Sequence, residues 1–591
     1  MTAHQNSDST ASQFDNSKQR RKLLLLLLTS FLLLAAVIAT ASTLFARRAV
    51  TSHEPTVSHA ILRSSCRSTR YPDLCYSAVA ATPALIQTIS KPKDVIHASI
   101  NLTITAIQRS FRHVERLSAS YPNLTTRERT ALHDCLEMFD ESLDELNLTD
   151  ADLRAYPAGK PLRRHALDLE ILVSAAMTNQ ESCSDGFSYE DIEGRLRREI
   201  RSELTHVTRM CRNALAMIKN MIDADIAAAE AEAGADGGAL NQGRRMSGFD
   251  VDEEGFPDWM EKKDRRRLLQ AAGEVQVNAV VAADGSGDYK TVGEAVAAAP
   301  AKSTTRWVIR IKAGTYEENV EVPKKKTNLM FIGDGRTATI ITGSRNVMDG
   351  STTFHSATLA VVGTGFQARG LRIENTAGPS KHQAVALRVS SDLSAFYDCD
   401  LIGYQDTLYL HSLRHFFRSC LIQGTVDFIF GNAATVLQDC DIQLRRPNPN
   451  QKNMVTADGR DDPNEPTGIT IHRSRIAAAP DLEPVKSSFR SYLGRPWKEH
   501  SRTVIMESDI GDVIDPAGWH EWNGPFALDT LYYGEYKNTG AGAGTAGRVK
   551  WNGYRVLTDV REAEQFTPGN LLGGSNWLGS TGFPYSLGLS S

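Results

Sequence analysis

Phe396-Tyr397-Asp398-Cys399-Asp400-Leu401-Ile402 is answered 20 residues later by Phe416-Phe417-Arg418-Ser419-Cys420-Leu421-Ile422, and again by Val436 to Ile442. Each copy runs apolar, five residues, apolar, and the first two agree in more than hydropathy. Weaker echoes stand at Thr470 to Ile476 and Val504 to Ile510, with longer insertions between them. Self-similarity at this period points to a solenoid, and short β-rich coils suit a parallel β-helix better than helical pairs. Stacked strands lie about 4.8 Å apart, so outward-pointing residues one coil apart become neighbours.

Two acids are separated by about one such coil: Asp406 in Gly403-Tyr404-Gln405-Asp406-Thr407-Leu408, and Asp427 in Gly424-Thr425-Val426-Asp427-Phe428-Ile429-Phe430-Gly431. Stacking would bring the carboxylates face to face, the minimum equipment for acid and nucleophile chemistry. Nearby acids resist double ionisation, which keeps one of them protonated. Spacing alone leaves glycan cleavage open, since retaining glycosidases hold two carboxyl groups about 5 to 5.5 Å apart. Cys420 and Cys440 occupy one position in successive copies, within the reach a disulfide requires; two free buried thiols are the alternative.

Working outward, 591 residues predict several domains, and 41% apolar content is ample for sizeable cores. The formal net charge of -4 gives no sign of a nucleic-acid partner. Leu23 to Ala46 is uncharged and apolar, follows Lys18, Arg20, Arg21 and Lys22, and at 24 residues exceeds a signal-peptide core. It reads as a signal anchor (23-46) with residues 1-22 in the cytoplasm, although Arg47 and Arg48 weaken the charge asymmetry. Everything downstream would enter the secretory lumen, where disulfides persist. The sequons at Asn101, Asn123 and Asn147 fit that compartment as glycosylation sites.

Residues 57-220 read as helical, with Leu132, Cys135, Leu136, Phe139, Leu143 and Leu146 at the spacing of one buried face. Cys66 and Cys75 bracket Tyr71-Pro72-Asp73-Leu74, and Cys135 with Cys183 would join two helices, leaving Cys211 as a free thiol. No acid, His or Ser constellation marks a site in this bundle. Residues 221-270 turn to Ala, Gly and acidic residues and read as a linker. It ends in Arg265-Arg266-Arg267-Leu268-Leu269, a protease site or a solvated charge run, with Arg244-Arg245-Met246 as a second candidate. From Ala271 onward, 32 Lys and Arg stand against 34 Asp and Glu, a net of -2. A polyanion should therefore bind this part weakly.

Asp284-Gly285-Ser286-Gly287-Asp288-Tyr289, His382-Gln383-Ala384-Val385-Ala386-Leu387, the two acid motifs and Tyr492-Leu493-Gly494-Arg495-Pro496-Trp497 together resemble plant pectin methylesterases (pectinesterases), in order from Val277 to Leu589. Arg70-Tyr71-Pro72-Asp73-Leu74-Cys75 and Thr178-Asn179-Gln180-Glu181-Ser182-Cys183 resemble the pectin methylesterase inhibitor domain of the longer members. The stretch Arg266-Arg267-Leu268-Leu269 is similar to their processing motif. The resemblance implies a right-handed parallel β-helix over 271-591, preceded by an all-α four-helix-bundle inhibitor-like domain over 57-220.

It further implies hydrolysis of methyl esters of homogalacturonan to carboxylate and methanol, in the cell wall. Asp427 would be the nucleophile and Asp406 the proton donor, later activating water. Gln383 and Gln405 would donate to the tetrahedral oxyanion, where one lost donor costs about 2.7 to 4 kcal/mol. Arg495 would hold and aim Asp427, while Thr353 and Trp497 would line the sugar cleft. No metal and no cofactor are implied. Expected partners are methyl-esterified pectin, the chain's own inhibitor-like pro-domain, a subtilisin-like processing protease and separate inhibitor proteins. His415 stands where the family pattern has Gln, and the processing motif carries one additional Arg. A second class of function also remains: an inhibitor or binding protein acting through the helical domain, with an inert C-terminal part.

Overall fold

A computed structural model describes residues 57–121, 123–189, 194–235 and 276–590, together with isolated positions 29, 30 and 36. The anchor segment 23-46 is otherwise outside the described residues, as are both basic cleavage candidates. Among the described residues no helix is long and apolar enough to cross a membrane.

Four long helices dominate the N-terminal part: α1 (Pro92–Ser120), α2 (Thr126–Ala155), α3 (Leu162–Asp185) and α4 (Gly194–Ala235). Each packs on two others in the closed order α1, α2, α3, α4, which is a four-helix bundle. The start of α2 is set by a reciprocal cap: Thr125 accepts from the Glu128 N–H, and the Glu128 carboxylate accepts from the Thr125 N–H. Leu132, Cys135, Phe139 and Leu146 form its buried face, while Leu136 and Leu143 are only partly covered. Disulfides join Cys66 to Cys75 and Cys135 to Cys183, the second tying α2 to α3; Cys211 is a buried free thiol. The Ala- and Glu-rich stretch after residue 220 continues α4 to Ala235 instead of opening a linker, as strong helix formers allow. Asn101 and Asn147 are exposed on α1 and α2, and Asn123 on the turn between them.

The C-terminal part is a solenoid of three parallel sheets with 11, 7 and 8 strands, each pairing with its equivalents one coil before and after. The first two sequence copies align one residue differently from their apparent period. Phe396 pairs with Phe417, and Leu401 with Ile422, so this coil is 21 residues long, while Ile422 to Ile442 spans 20. A one-residue slip exchanges the two faces of a strand. Phe396 and Phe417 therefore stack inside, with centroids 4.7 Å apart and planes 6° from parallel, continuing a column through Phe366 to Phe331. Phe416 faces out, under Leu571, Trp577 and Phe583 of the C-terminal segment. Coils turn between sheets at left-handed corners: φ is 51° at Asp398, 53° at Ser419, 51° at Asp439 and 50° at Arg473.

The residue after each corner points inward, and the aligned set there is Cys399, Cys420 and Cys440. All three are buried free thiols, so the disulfide expected between Cys420 and Cys440 is absent. In-register stacking holds the three Cβ directions parallel, about 4.8 Å apart, beyond the usual Cβ separation of a disulfide.

The bundle lies against the outer face of the seven-stranded sheet. Ala360, Tyr409, Phe430 and Ala457 of that sheet join the apolar cluster of the helices. Ion pairs ring the contact: Arg388 with Glu137, Arg212 with Asp461, Lys498 with Asp185 and Arg414 with Asp168.

Candidate active site

Asp406 and Asp427 precede two neighbouring strands of the seven-stranded sheet, Leu408–Leu410 and Ile429–Gly431, which pair Leu408 with Ile429. The acids are therefore equivalent positions on consecutive coils. Both adopt left-handed backbone, φ 64° and 51°, a conformation Asp tolerates better than most residues and one that swings the side chain off the strand. Gly431 closes the second motif where a Cβ would lie 1.9 Å from the Leu410 carbonyl oxygen, so close stacking of the two coils requires glycine there.

The environments of the acids differ. Arg495, just past strand Ser491–Gly494, donates from Nε to Asp427 Oδ1 at 2.8 Å and from Nη2 to Oδ2 at 2.6 Å. This fork occupies both oxygens as acceptors and fixes the carboxylate plane. The guanidinium lies 4.3 Å from the ring centroid of Trp522, which is 37% exposed. Asp406, 7% exposed, has no such partner among the described residues. Burial, and then the charge of Asp427, push its carboxyl well above the ordinary range, with Arg495 opposing. One acid is thus a forked, oriented acceptor and the other a buried proton carrier.

Around them a cavity of about 480 Å³ is lined by Gln383, Gln405, Asp406, Asp427, Arg495 and Trp497, and on its far wall by the helical domain. Both glutamines are half-exposed, and among the described residues neither side-chain amide is held by another group. Trp497 packs edge-on to Phe430, which stacks on Tyr409 at 4.3 Å. Thr353 Oγ1 is 2.9 Å from the hydroxyl of Tyr189, a residue of the helical domain that also accepts from the Thr353 N–H. Ser182 of α3 bonds both the Tyr409 hydroxyl and His411 Nε2.

All seven site residues singled out in the sequence thus meet in one cavity. Reading the sequence missed Trp522, Tyr409, Phe430 and the wall formed by Ser182, Asp185 and Tyr189. Tyr409 and Phe430 carried a signal: each lies three residues after its acid, on the outward face of the following strand. His415 is buried in the sheet away from the cavity, and burial pushes it down to about 3, so it sits there as a neutral ring.

Residues 278–575 match the model of the Pectinesterase family, and residues 60–217 match that of the plant invertase/pectin methylesterase inhibitor family. The chain belongs to the pectinesterase family. It is 61% identical over 531 residues to Pectinesterase 1 of Citrus sinensis, covering 90% of this chain and 89% of that one. It is 60% identical to pectinesterase/pectinesterase inhibitor 3 of Arabidopsis thaliana, over 90% of this chain and 91% of that one. Among solved structures, the pectin methylesterase from carrot matches at 69% identity with a TM-score of 0.53, covering 54% of this chain and 99% of the other. Pectinesterases are carboxylic ester hydrolases, and this member pairs its parallel β-helix with an inhibitor-family bundle.

Proposed function

We infer that the protein is the precursor of a pectin methylesterase, hydrolysing methyl esters of homogalacturonan to free uronate and methanol. The observation that carries this reading is the unequal treatment of the two acids: Arg495 forks onto Asp427, and Asp406 is buried beside it as the proton carrier. Asp427 attacks the ester carbonyl carbon, and the carbonyl π electrons move onto oxygen. Gln383 and Gln405 donate to that oxyanion. As the tetrahedral intermediate collapses, the C–O bond to methoxide breaks and Asp406 supplies the proton, releasing methanol and leaving an acyl anhydride on Asp427. Asp406, now a carboxylate, takes a proton from water as the water attacks the acyl carbon, and Asp427 departs with its electron pair. Thr353 and Trp497 position the sugar.

Two amide donors without partners suit an acyl oxyanion better than an oxocarbenium ion, which favours ester over glycosidic cleavage. The helical domain stands over the same cleft, its Tyr189 on Thr353 and Ser182 on Tyr409. It masks the polymer-binding surface until the chain is cut near Arg266, Arg267, Leu268 and Leu269 by a subtilisin-like protease. A signal anchor at 23-46, glycans on Asn101, Asn123 and Asn147, and release of the cleaved enzyme into the cell wall complete the proposal.

Methanol release from methyl-esterified pectin, with polymer length followed in parallel, tests it. Cleaved wild type should release methanol without shortening the polymer, and Asp427→Asn should not; polymer shortening would transfer the chemistry to the glycosidic bond. A full-length precursor as active on pectin as the cleaved enzyme would remove the masking role.

A further inference from the structure

Helix α4 carries a stripe of cations that the chemistry does not use and of which only Arg212, at its inner end, takes part in docking the bundle. Arg198, Arg201, Thr205, Arg209 and Arg212 follow one another at three- and four-residue steps and fall within about 80° of the helix circumference, spread along about 21 Å. Arg198, Arg201 and Arg209 are exposed, and among the described residues none of them forms an ion pair. Arg212 at the inner end bonds Asp461 and Glu181 at the domain junction. Close by, Lys498 pairs with Asp185 and lies 5.2 Å above the ring centroid of Trp497 in the catalytic cleft.

Two grooves flank Arg209. The outer one, about 510 Å³, is lined by Arg70, Tyr71, Ser202, Thr205, His206 and Arg209. The inner one, about 330 Å³, adds Ser184, Thr208, Arg201, Arg212 and Lys498. Tyr71 presents an aromatic ring, with Arg209 at 5.2 Å from its centroid. Asp73 is the one carboxylate in the lining of the outer groove; in the inner groove Glu181 and Asp461 bond Arg212, and Asp185 bonds Lys498. A row of unpaired guanidinium groups, hydroxyls on both sides and an aromatic face is equipped for a chain bearing both carboxylates and sugar hydroxyls. Concave grooves suit a single extended strand more than the flat surface of a lipid bilayer.

We propose that this edge of the pro-domain binds de-esterified homogalacturonan, the polyanionic product of the reaction. The identity of the ligand rests on the esterase reading; its charge and form rest on α4 itself. The catalytic part, at a net of -2, has no comparable attraction for its own product. The pro-domain therefore gives the precursor an affinity for demethylated stretches of wall polymer that the released enzyme lacks. Because the stripe ends at Arg212 and Lys498, an anionic chain occupying its length also competes with Asp461 and Asp185 for those two cations.

The test is binding of the full-length chain to a de-esterified homogalacturonan oligomer at low ionic strength, beside the same oligomer fully methyl-esterified and beside vesicles of anionic phospholipid. The wild type should bind the charged oligomer at least tenfold more tightly than the esterified one. The Arg201→Glu/Arg209→Glu double variant should lose at least tenfold in affinity, and binding should weaken with salt. Both positions are exposed, so an unchanged melting profile, and unchanged methanol release after cleavage, separate lost binding from misfolding. Equal affinity of the double variant, equal binding of the esterified oligomer, or retention on vesicles alone overturns the proposal. Failure of the esterase reading would appear separately, as absence of methanol.

Discussion

Replacing Arg495 by Ala removes the fork that orients Asp427 while leaving both acids in place. Its two hydrogen bonds, at 2.8 and 2.6 Å, are of the charge-assisted kind, worth about 1.5 to 3 kcal/mol each. Breaking a buried pair from one side costs about 3 to 5 kcal/mol. The Arg495 side chain is 24% exposed, so water replaces part of what is lost and the lower end of that range applies. At 1.36 kcal/mol per tenfold, kcat should fall about 10²- to 10³-fold. KM should change less than kcat, because the Nε and Nη2 donors of the guanidinium are engaged by Asp427 and its face by Trp522. Arg495→Lys restores a charge without the fork and should recover only part of the rate. The pH profile supplies a second readout. Asp406 is raised first by burial and then by Asp427, and Arg495 opposes that rise; without it Asp406 keeps its proton to higher pH, and the alkaline limb of activity moves up. The assay is methanol release by cleaved protein on highly esterified pectin across pH, with thermal melts as the check on folding. A folded Arg495→Ala enzyme within threefold of wild-type kcat would refute the orienting role.

Gln405→Ala removes one oxyanion donor and should lower kcat about 10²- to 10³-fold with KM nearly constant; a change confined to KM in the same methanol assay would make Gln405 a sugar-binding residue. Titrating thiols in the unfolded, unreduced chain should find four, from Cys211, Cys399, Cys420 and Cys440, whereas two would mean that the column of thiols in the β-helix is oxidised. The bundle should be more stable in mild acid than at neutral pH. Burial raises Glu145 to about 8, against its bond from Asn179, and raises Glu170 to about 7. Both titrate near about 4.3 when unfolded, so between those values the folded chain holds more protons and stability declines as pH rises. Melts at pH 5 and pH 8 check this, and Glu145→Gln should flatten the difference; a higher melting temperature at pH 8 would contradict it.

What could be read in the sequence follows from which interactions are local. The coil repeat was visible because every coil must refill the same three inward positions, and the two acids could be aligned because each belongs to a motif of contiguous residues. The one-residue slip at Phe416 was not visible. Phe416 and Phe417 are equally apolar, and only the C-terminal segment packed on the outside decides which of them turns in. The same limit explains Cys399, whose place beside Cys420 depends on a 21-residue coil where the pattern read 20. Trp522 sits on Arg495 from a loop with no repeat to mark it. The docking of the bundle joins residues more than 160 apart in sequence, Tyr189 to Thr353 and Ser182 to Tyr409. No periodicity of either domain encodes such a pairing. The contact is nonetheless written in composition: Tyr409 and Phe430 are large aromatics on the outer face of a sheet. An outward aromatic stack beside two acids calls for a cover; helix α3 supplies it here through Ser182 on Tyr409, and under the proposed function sugar rings would take its place. Under the proposed masking role, pro-domain and polymer would compete for this one surface, and cleavage would have to weaken the docking enough for the substrate to displace it.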